Sequence, residues 1–256
     1  MKKFLCLCCL FLVSSFKVFG ADIKFVQIDS LKYSPAQEEI SDSFAKMITE
    51  INNLKDVDFV IFTGNNIAKS DEKLLKAFLK KANKLKAPYY IALGHKDLNK
   101  NKGLSKSEYI ETVRRISHRN IKSPNYIFNK KGVLFIVADG AKEFVPTPFG
   151  YYRDNVIKYI DNMLAQNSDK NAVILQHFPI NPPSDSESYR TYKAEEYTKI
   201  LGEHKNVKAI VSGFGVNSES DLNGIKHITT AEYPQYRIIE IIDCKSPEPT
   251  IWTTLR

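Results

Sequence analysis

The chain has 256 residues, 43% of them apolar, and carries 37 Lys and Arg against 29 Asp and Glu, a formal net charge of +8. That much apolar material over this length builds an ordinary hydrophobic core, which excludes disorder, collagen, coiled coil and a disulfide-stapled miniprotein. A modest positive excess spread along the chain gives no case for nucleic acid, and none is expected as a partner.

The first elements are those of export. Met1-Lys2-Lys3 is a basic head, Phe4 to Val13 an unbroken apolar run, and Val18-Phe19-Gly20 before Ala21 a small-residue cleavage site. This is the layout of a secretory signal peptide. The apolar run falls well short of the roughly 20 residues that a membrane-spanning helix needs, and no later segment approaches that length. Residues 1–20 are therefore read as a signal peptide and 21–256 as a single mature domain, exported to a periplasm or secreted. Losing Lys2, Lys3 and Lys17 lowers the charge of +8 by three, to +5, and leaves Cys244 alone of the four cysteines. One cysteine allows no internal disulfide framework.

From there strands and amphipathic helices alternate. Ile23 to Ile28 reads as a strand, and Ser34-Pro35-Ala36-Gln37 as a capped helix start, with Ile40, Phe44, Met47, Ile48 and Ile51 on one face. Asp58 to Phe62 is a second strand. Ser70-Asp71-Glu72 opens a helix that buries Leu74, Leu75, Phe78, Ala82 and Leu85, and Tyr89 to Leu93 is the third strand. A helix from Ser105, capped with Glu108, turns Tyr109, Val113 and Ile116 inward. Leu134–Ala138, Val173–Leu175, Ala209–Val211, His227–Thr230, Tyr236–Ile242 and Thr250–Thr254 read as strands, with helices at Asn155–Leu164 and Ala194–Leu201. Helices are frequent early and strands dominate after residue 205, which predicts a mixed sheet core covered by helices.

In open α/β sheets, ligands sit beyond the carboxyl ends of the strands. Five polar stops occupy those ends: Asp29-Ser30-Leu31-Lys32, Thr63-Gly64-Asn65-Asn66, Gly94-His95-Lys96-Asp97, Gln176-His177-Phe178-Pro179, and Gly213-Phe214-Gly215-Val216-Asn217. Phe25-Val26-Gln27-Ile28 resembles the strand before the D-x-H motif of the calcineurin-like metallophosphoesterases. Asp58 to Gly64 resembles the run into their G-D motif, and Ala92-Leu93-Gly94 the approach to G-N-H-[DE]. His177-Phe178-Pro179 matches H-x-P, and Val211-Ser212-Gly213 the approach to G-H-x-H. The resemblance spans about residues 22 to 242. It implies an α/β fold, a mixed β-sheet sandwich flanked by helices in four αββα layers, and an ancestral metal-dependent phosphoester hydrolase.

In that family, seven Asp, Asn and His ligands hold two metal ions about 3.5–4 Å apart, which bind phosphate and activate water. The register here puts Ser30 at the first aspartate, Lys32 at the first histidine, and Asn65 at the bridging aspartate. His95-Lys96 stands for Asn-His, and Phe214 and Val216 replace the last two histidines. Only His177 keeps its type and place. A protonated lysine offers no lone pair and repels a cation, and phenylalanine and valine offer no ligand atom. The expectation is a catalytically degenerate pseudo-phosphoesterase with no cofactor. If any metal binds, it is one weakly held Mn, Fe or Zn ion on His177, His95 and Asp29.

Three functions follow. In the first, the degenerate member binds either a partner protein or, at a site of Lys32, Lys96, Asn65 and His177 where the lysines supply positive charge in place of metal, a phosphate-containing or other anionic small molecule. In the second, a divergent phosphatase or phosphodiesterase works on a single-metal site. The third is a purely structural interaction module. His177 reads equally as a strand-end structural histidine. His118, His204 and His227 are placed off the strand tips, Cys244 as a buried thiol, and Lys73, Lys76, Lys80, Lys81, Lys84 and Lys86 on the solvated face of the second helix. Tyr189, Arg190, Tyr192 and Tyr197, beyond Pro182-Pro183-Ser184-Asp185-Ser186-Glu187-Ser188, read either as an aromatic wall at the site or as packing. No Gly-rich phosphate loop, serine-hydrolase elbow or metalloprotease motif is present.

Overall fold

A computed structural model describes residues 22–117, 120–182 and 190–256. The export segment 1–20, His118, Tyr189 and the run Pro183–Ser188 lie outside the described residues. No helix among the described residues is long and apolar enough to cross a membrane.

Two mixed sheets form the centre. In the first, β1 (Ile23–Ile28), β2 (Phe59–Phe62) and β3 (Tyr89–Ile91) run parallel. On its other side β1 pairs antiparallel with β12 (Tyr236–Ile242), which pairs antiparallel with the edge strand β13 (Thr250–Leu255). In the second sheet β5 (Val133–Ala138), β7 (Ala172–Gln176), β9 (Val207–Ser212) and β11 (Ile225–Thr229) run parallel. Antiparallel edges are supplied by β4 (Tyr126–Lys130) beside β5 and β10 (Ser218–Leu222) beside β11. A two-residue parallel pair, β6 (Gly150–Tyr151) with β8 (Thr191–Tyr192), stands apart from both sheets.

Alternation along the strands builds the layers. Phe25, Phe59, Ile61, Phe135, Val137, Val173, Leu175, Ala209 and Val211 share one buried cluster, which joins the two sheets face to face. Its aromatic part is dense: Phe25 stacks on Phe59 at 4.6 Å, and Phe135 meets Phe59 edge-on at 5.0 Å. The residues between them, Val26, Val60, Phe62, Leu134, Ile136, Ile174 and Ile210, belong to a second cluster shared with the helices. A side-chain period of two thus sends each strand's apolar residues alternately to the partner sheet and to a helical layer. The helices are α1 (Glu38–Asn53), α2 (Glu72–Ala82), α3 (Lys106–Ser117), α4 (Asp154–Gln166) and α5 (Ala194–Gly202). Phe44, Leu75, Phe78, Tyr109, Ile160 and Leu201 are their buried anchors.

Helix starts show where local signals act. Asp71 caps α2 by accepting from the N–H groups of Lys73 and Leu74. The Ser105–Glu108 box of α3 is formed in both directions, at 2.8 and 3.3 Å. The expected start at Ser34 is corrected: Tyr33 is held extended by a bridge to Ile67, Ser34 only closes a turn to Gln37, and α1 begins at Glu38 without a side-chain cap. Four strands not predicted from the sequence, β4, β6, β8 and β10, are edges or two-residue pairs.

Candidate functional site

The carboxyl ends of β1, β2, β3, β7 and β9 meet along one rim, and side chains stitch the two sheets together there. Gln27 donates to the Ser212 carbonyl (2.7 Å) and to the Thr63 hydroxyl (3.2 Å), and its carbonyl oxygen accepts from Thr230 (2.6 Å). Asp29, fully buried, accepts from the Thr63 hydroxyl on one oxygen and from the Phe214 N–H on the other, each at 2.9 Å. Glycine lets the chains come this close: a Cβ on Gly213 would stand 1.7 Å from Asp29 Oδ1.

His177 is fully buried, and its Nδ1 lies 2.7 Å from the Thr63 carbonyl. A carbonyl only accepts, so the proton sits on Nδ1 and the lone pair on Nε2, which has no hydrogen-bond partner. Nδ1 is also 3.5 Å from Asp29 Oδ1. His95 Nδ1 is a second buried and unpartnered nitrogen. Burial first, then the neighbouring His177 and the ammonium groups of Lys96 and Lys32, push the His95 imidazole down to about 3, so it is neutral at physiological pH.

The Phe214 ring lies against both imidazoles, with centroids 5.3 Å from His95 and 5.2 Å from His177, while the histidines are 5.9 Å apart. Phe178 completes the group, 4.6 Å from His177 and 5.7 Å from Phe214. An aromatic cluster therefore occupies the rim between β3, β7 and β9. Phe214, Ser30, Lys32 and Asn65 all have left-handed backbone, with φ between 47° and 51°. Four non-glycine residues in that sparsely allowed region at one rim mark a strained rim conformation.

The structure brings Ser30, Lys32, Asn65, His95, Lys96, His177 and Phe214 together. The Asn65 side chain accepts from the Lys96 N–H at 2.9 Å and reaches Ser30 Oγ at 3.5 Å, while the Lys32 N–H donates to the Asn65 carbonyl at 2.8 Å. Val216 stands apart with 48% of its surface exposed. Lys32 forms an ion pair with Glu232, so part of its charge is already answered; Lys96 has no carboxylate partner among the described residues. Sequence reasoning had no signal for Glu232, which lies 200 residues away.

Asp97 and Asn66 brace the rim from below. Asp97 accepts from the N–H groups of Asn66, Ile67 and Gly94 and from the Asn66 amide, at 2.8–3.2 Å. Burial outweighs those donors and raises its carboxyl to about 6. The remaining candidates lie elsewhere. His204 pairs with Asp161 at 2.7 Å, His227 is buried on β11, and the Cys244 thiol is buried, which raises its pKa. Tyr197 is core, donating to Gln176 at 3.3 Å. Tyr192 is exposed, with Arg190 and Lys142 over its ring at 5.2 Å.

As a donor set the rim has two free imidazole nitrogens and one carboxylate whose oxygens are both engaged. Among the described residues, no three His, Cys, Asp or Glu side chains gather as a metal ion requires.

Residues 35–213, well over half of the chain, match the family described as calcineurin-like phosphoesterase. A protein of Xenorhabdus bovienii, described as a probable cyclic nucleotide phosphodiesterase, is 26% identical over 179 residues, covering 67% of this chain and 66% of its own length. The chain thus spans just under two thirds of that relative. A dimetal phosphatase from Danio rerio superposes with a TM-score of 0.67 at 12% identity, covering 91% of this chain and 99% of its own. GAP50, the anchor in the inner membrane complex of Plasmodium, superposes with a TM-score of 0.56 at 14% identity, covering 91% and 87%. At these identities the solved structures speak for the fold alone.

Proposed function

The chain belongs to the calcineurin-like phosphoesterase family, and on that premise we propose that it is an exported, catalytically degenerate member that binds an anionic small molecule and does not hydrolyse phosphoesters. The supporting observation is the Phe214 ring, packed against both imidazoles at 5.3 and 5.2 Å. An apolar ring fills space that a binuclear centre would need for ions and water. The donors left do not fit such a centre: Asp29 is committed to Thr63 and Phe214, and Lys32 and Lys96 bring positive charge where ligands should bring negative.

Metal analysis of chain purified without chelators is expected to find well under one ion per molecule. Chromogenic phosphate mono- and diesters, and cyclic nucleotides, are expected to hydrolyse at background rate with added manganese. Turnover that disappears in His177→Ala would sink this reading.

A second reading is favoured by one observation. His177 Nε2 and His95 Nδ1 are both buried and unpartnered, and two imidazole lone pairs at one rim suit a single divalent ion. That would make the chain a divergent phosphodiesterase, as the Xenorhabdus relative is described. Stoichiometric zinc or manganese in the purified chain decides for it. A purely structural role, of the kind named for GAP50, is the outcome if neither metal nor anion binds.

A further inference from the structure

The loops after β2 and β3, with Pro146 from the loop after β5, form an open, solvent-facing pocket of about 360 Å³ that none of the family's ligand positions except those of His95 and Lys96 touches. Lys69, Lys96 and Lys102 line it, together with the His95 imidazole and an apolar wall that includes Leu98 and Pro146. No carboxylate lines it, and none of the three ammonium groups has an ion-pair partner among the described residues. Some lysines elsewhere are answered, Lys24 by Glu240, Lys76 by Glu72, Lys106 by Asp139 and Lys226 by Glu219, while others such as Lys73 and Lys80 stand unpaired among the described residues but singly on the solvated face of α2.

The loops that carry these lysines are braced against one another. Ser70 Oγ accepts the Leu104 N–H at 2.8 Å, and Asn99 organises the turn before it by accepting from the N–H groups of Lys102 and Gly103. Gly103 packs so closely that a Cβ there would stand 2.2 Å from the Ser70 carbonyl. The Lys102 turn is thereby fixed against the segment carrying Lys69.

We propose that this pocket is a binding site for a small phosphorylated molecule, whose phosphomonoester dianion is held by Lys69, Lys96 and Lys102. Three like charges around one concavity repel each other, and an anion converts that repulsion into attraction. A phosphomonoester carries close to two negative charges at neutral pH and presents three acceptor oxygens, one for each ammonium. A carboxylate offers half the charge. The volume lies at the small end of ligand pockets, which suits a phosphate with a few carbons beside Pro146 rather than a polymer. The inference rests on the non-hydrolytic reading above, and moves the anion from the Lys32–Glu232 pair to a neighbouring pocket whose lysines have no such partner.

Calorimetry on the mature chain tests it with glycerol 3-phosphate, and with glycerol as the same molecule without its phosphate. The expected result is binding of the first only, weakening as salt is raised. Lys69→Gln and Lys102→Gln should each weaken it about tenfold, the value of one charge-assisted hydrogen bond. Lys80→Gln, on the solvated face of α2, is the charge-matched control and should change it less than about twofold. Binding indifferent to Lys69→Gln and Lys102→Gln overturns the pocket and leaves the non-hydrolytic reading standing. No binding of glycerol 3-phosphate or inorganic phosphate overturns the pocket too. Release of phosphate from glycerol 3-phosphate with added manganese overturns the reading beneath it.

Discussion

Asp29 accepts the backbone N–H of Phe214 at 2.9 Å, tying the tip of β1 to the tip of β9 across 185 residues of sequence. Thr63 holds the other carboxylate oxygen. Asp29 therefore works as a structural clamp between the sheets. Asp29→Ala leaves two buried donors unsatisfied and is expected to cost about 2–4 kcal/mol of unfolding free energy. Urea denaturation reads this directly, and an unchanged midpoint would show that the clamp carries no load.

Gly213 stands beside the same clamp, and the Cβ of an alanine there would lie 1.7 Å from Asp29 Oδ1. The obstructing atom belongs to a buried, hydrogen-bonded carboxylate that cannot swing away. Gly213→Ala is expected to lose about 1–3 kcal/mol or more to overpacking. In the double variant with Asp29→Ala the two losses should fall well short of their sum, because the worst of the clash disappears with the carboxylate and only a 2.9 Å contact to Thr63 Oγ1 remains. Strict additivity would contradict the geometry.

Acid should destabilise the chain before the ordinary carboxylates titrate. Burial lowers His95 to about 3 and His227 to about 4, both from 6.5. Below 6.5 the unfolded chain takes up protons on both that the folded chain refuses, so stability is lost as pH falls. Asp97 works in the opposite sense. Its folded value of about 6 lies above 3.8, so it favours the folded state at low pH and that contribution is lost as pH rises through 6. Two protons oppose one, and the net slope between about pH 4.5 and 6 is a loss on acidification. His227→Gln leaves one against one and is expected to flatten that slope in thermal unfolding. A slope unaltered by the substitution would place its origin elsewhere.

Phe214→His would add a third imidazole beside His95 and His177, the ligand number of open catalytic zinc sites. The variant is expected to bind cobalt with the visible absorption of a low-coordinate site, while the parent chain gives none under the same conditions. Stoichiometric cobalt uptake by the parent chain would instead support the single-metal reading.

The sequence made the frame legible wherever local chemistry decides. The Ser105–Glu108 box started α3 where expected, and β12 was read residue for residue because Tyr236–Ile242 is dense in isoleucine, a strong strand former, despite Arg237 and Glu240. Ser34 misled, since the bridge of Tyr33 to Ile67 overrides a local capping signal. Strand β10, Ser-Glu-Ser-Asp-Leu, has no strand propensity of its own; pairing with β11 makes it one. At the rim, strand order predicted which tips converge. It could not show that Glu232 answers Lys32, or that Lys69 and Lys102 fold in beside Lys96. Those contacts are set by loop paths, which periodicity does not encode.

Each central strand divides its side chains between two layers, Phe59 and Ile61 facing the other sheet, Val60 and Phe62 facing helices. Inserting or deleting one residue inside β2 would swap those two sets and ruin both layers at once. Beyond Ile28, Phe62, Ile91, Gln176 and Ser212 no such parity applies. Outside the residues that clamp the sheets, such as Asp29 and Gly213, the five tips can change length without shifting the strands out of phase. Substitutions at the unclamped tip positions therefore change the chemistry of the rim while both core layers keep their packing.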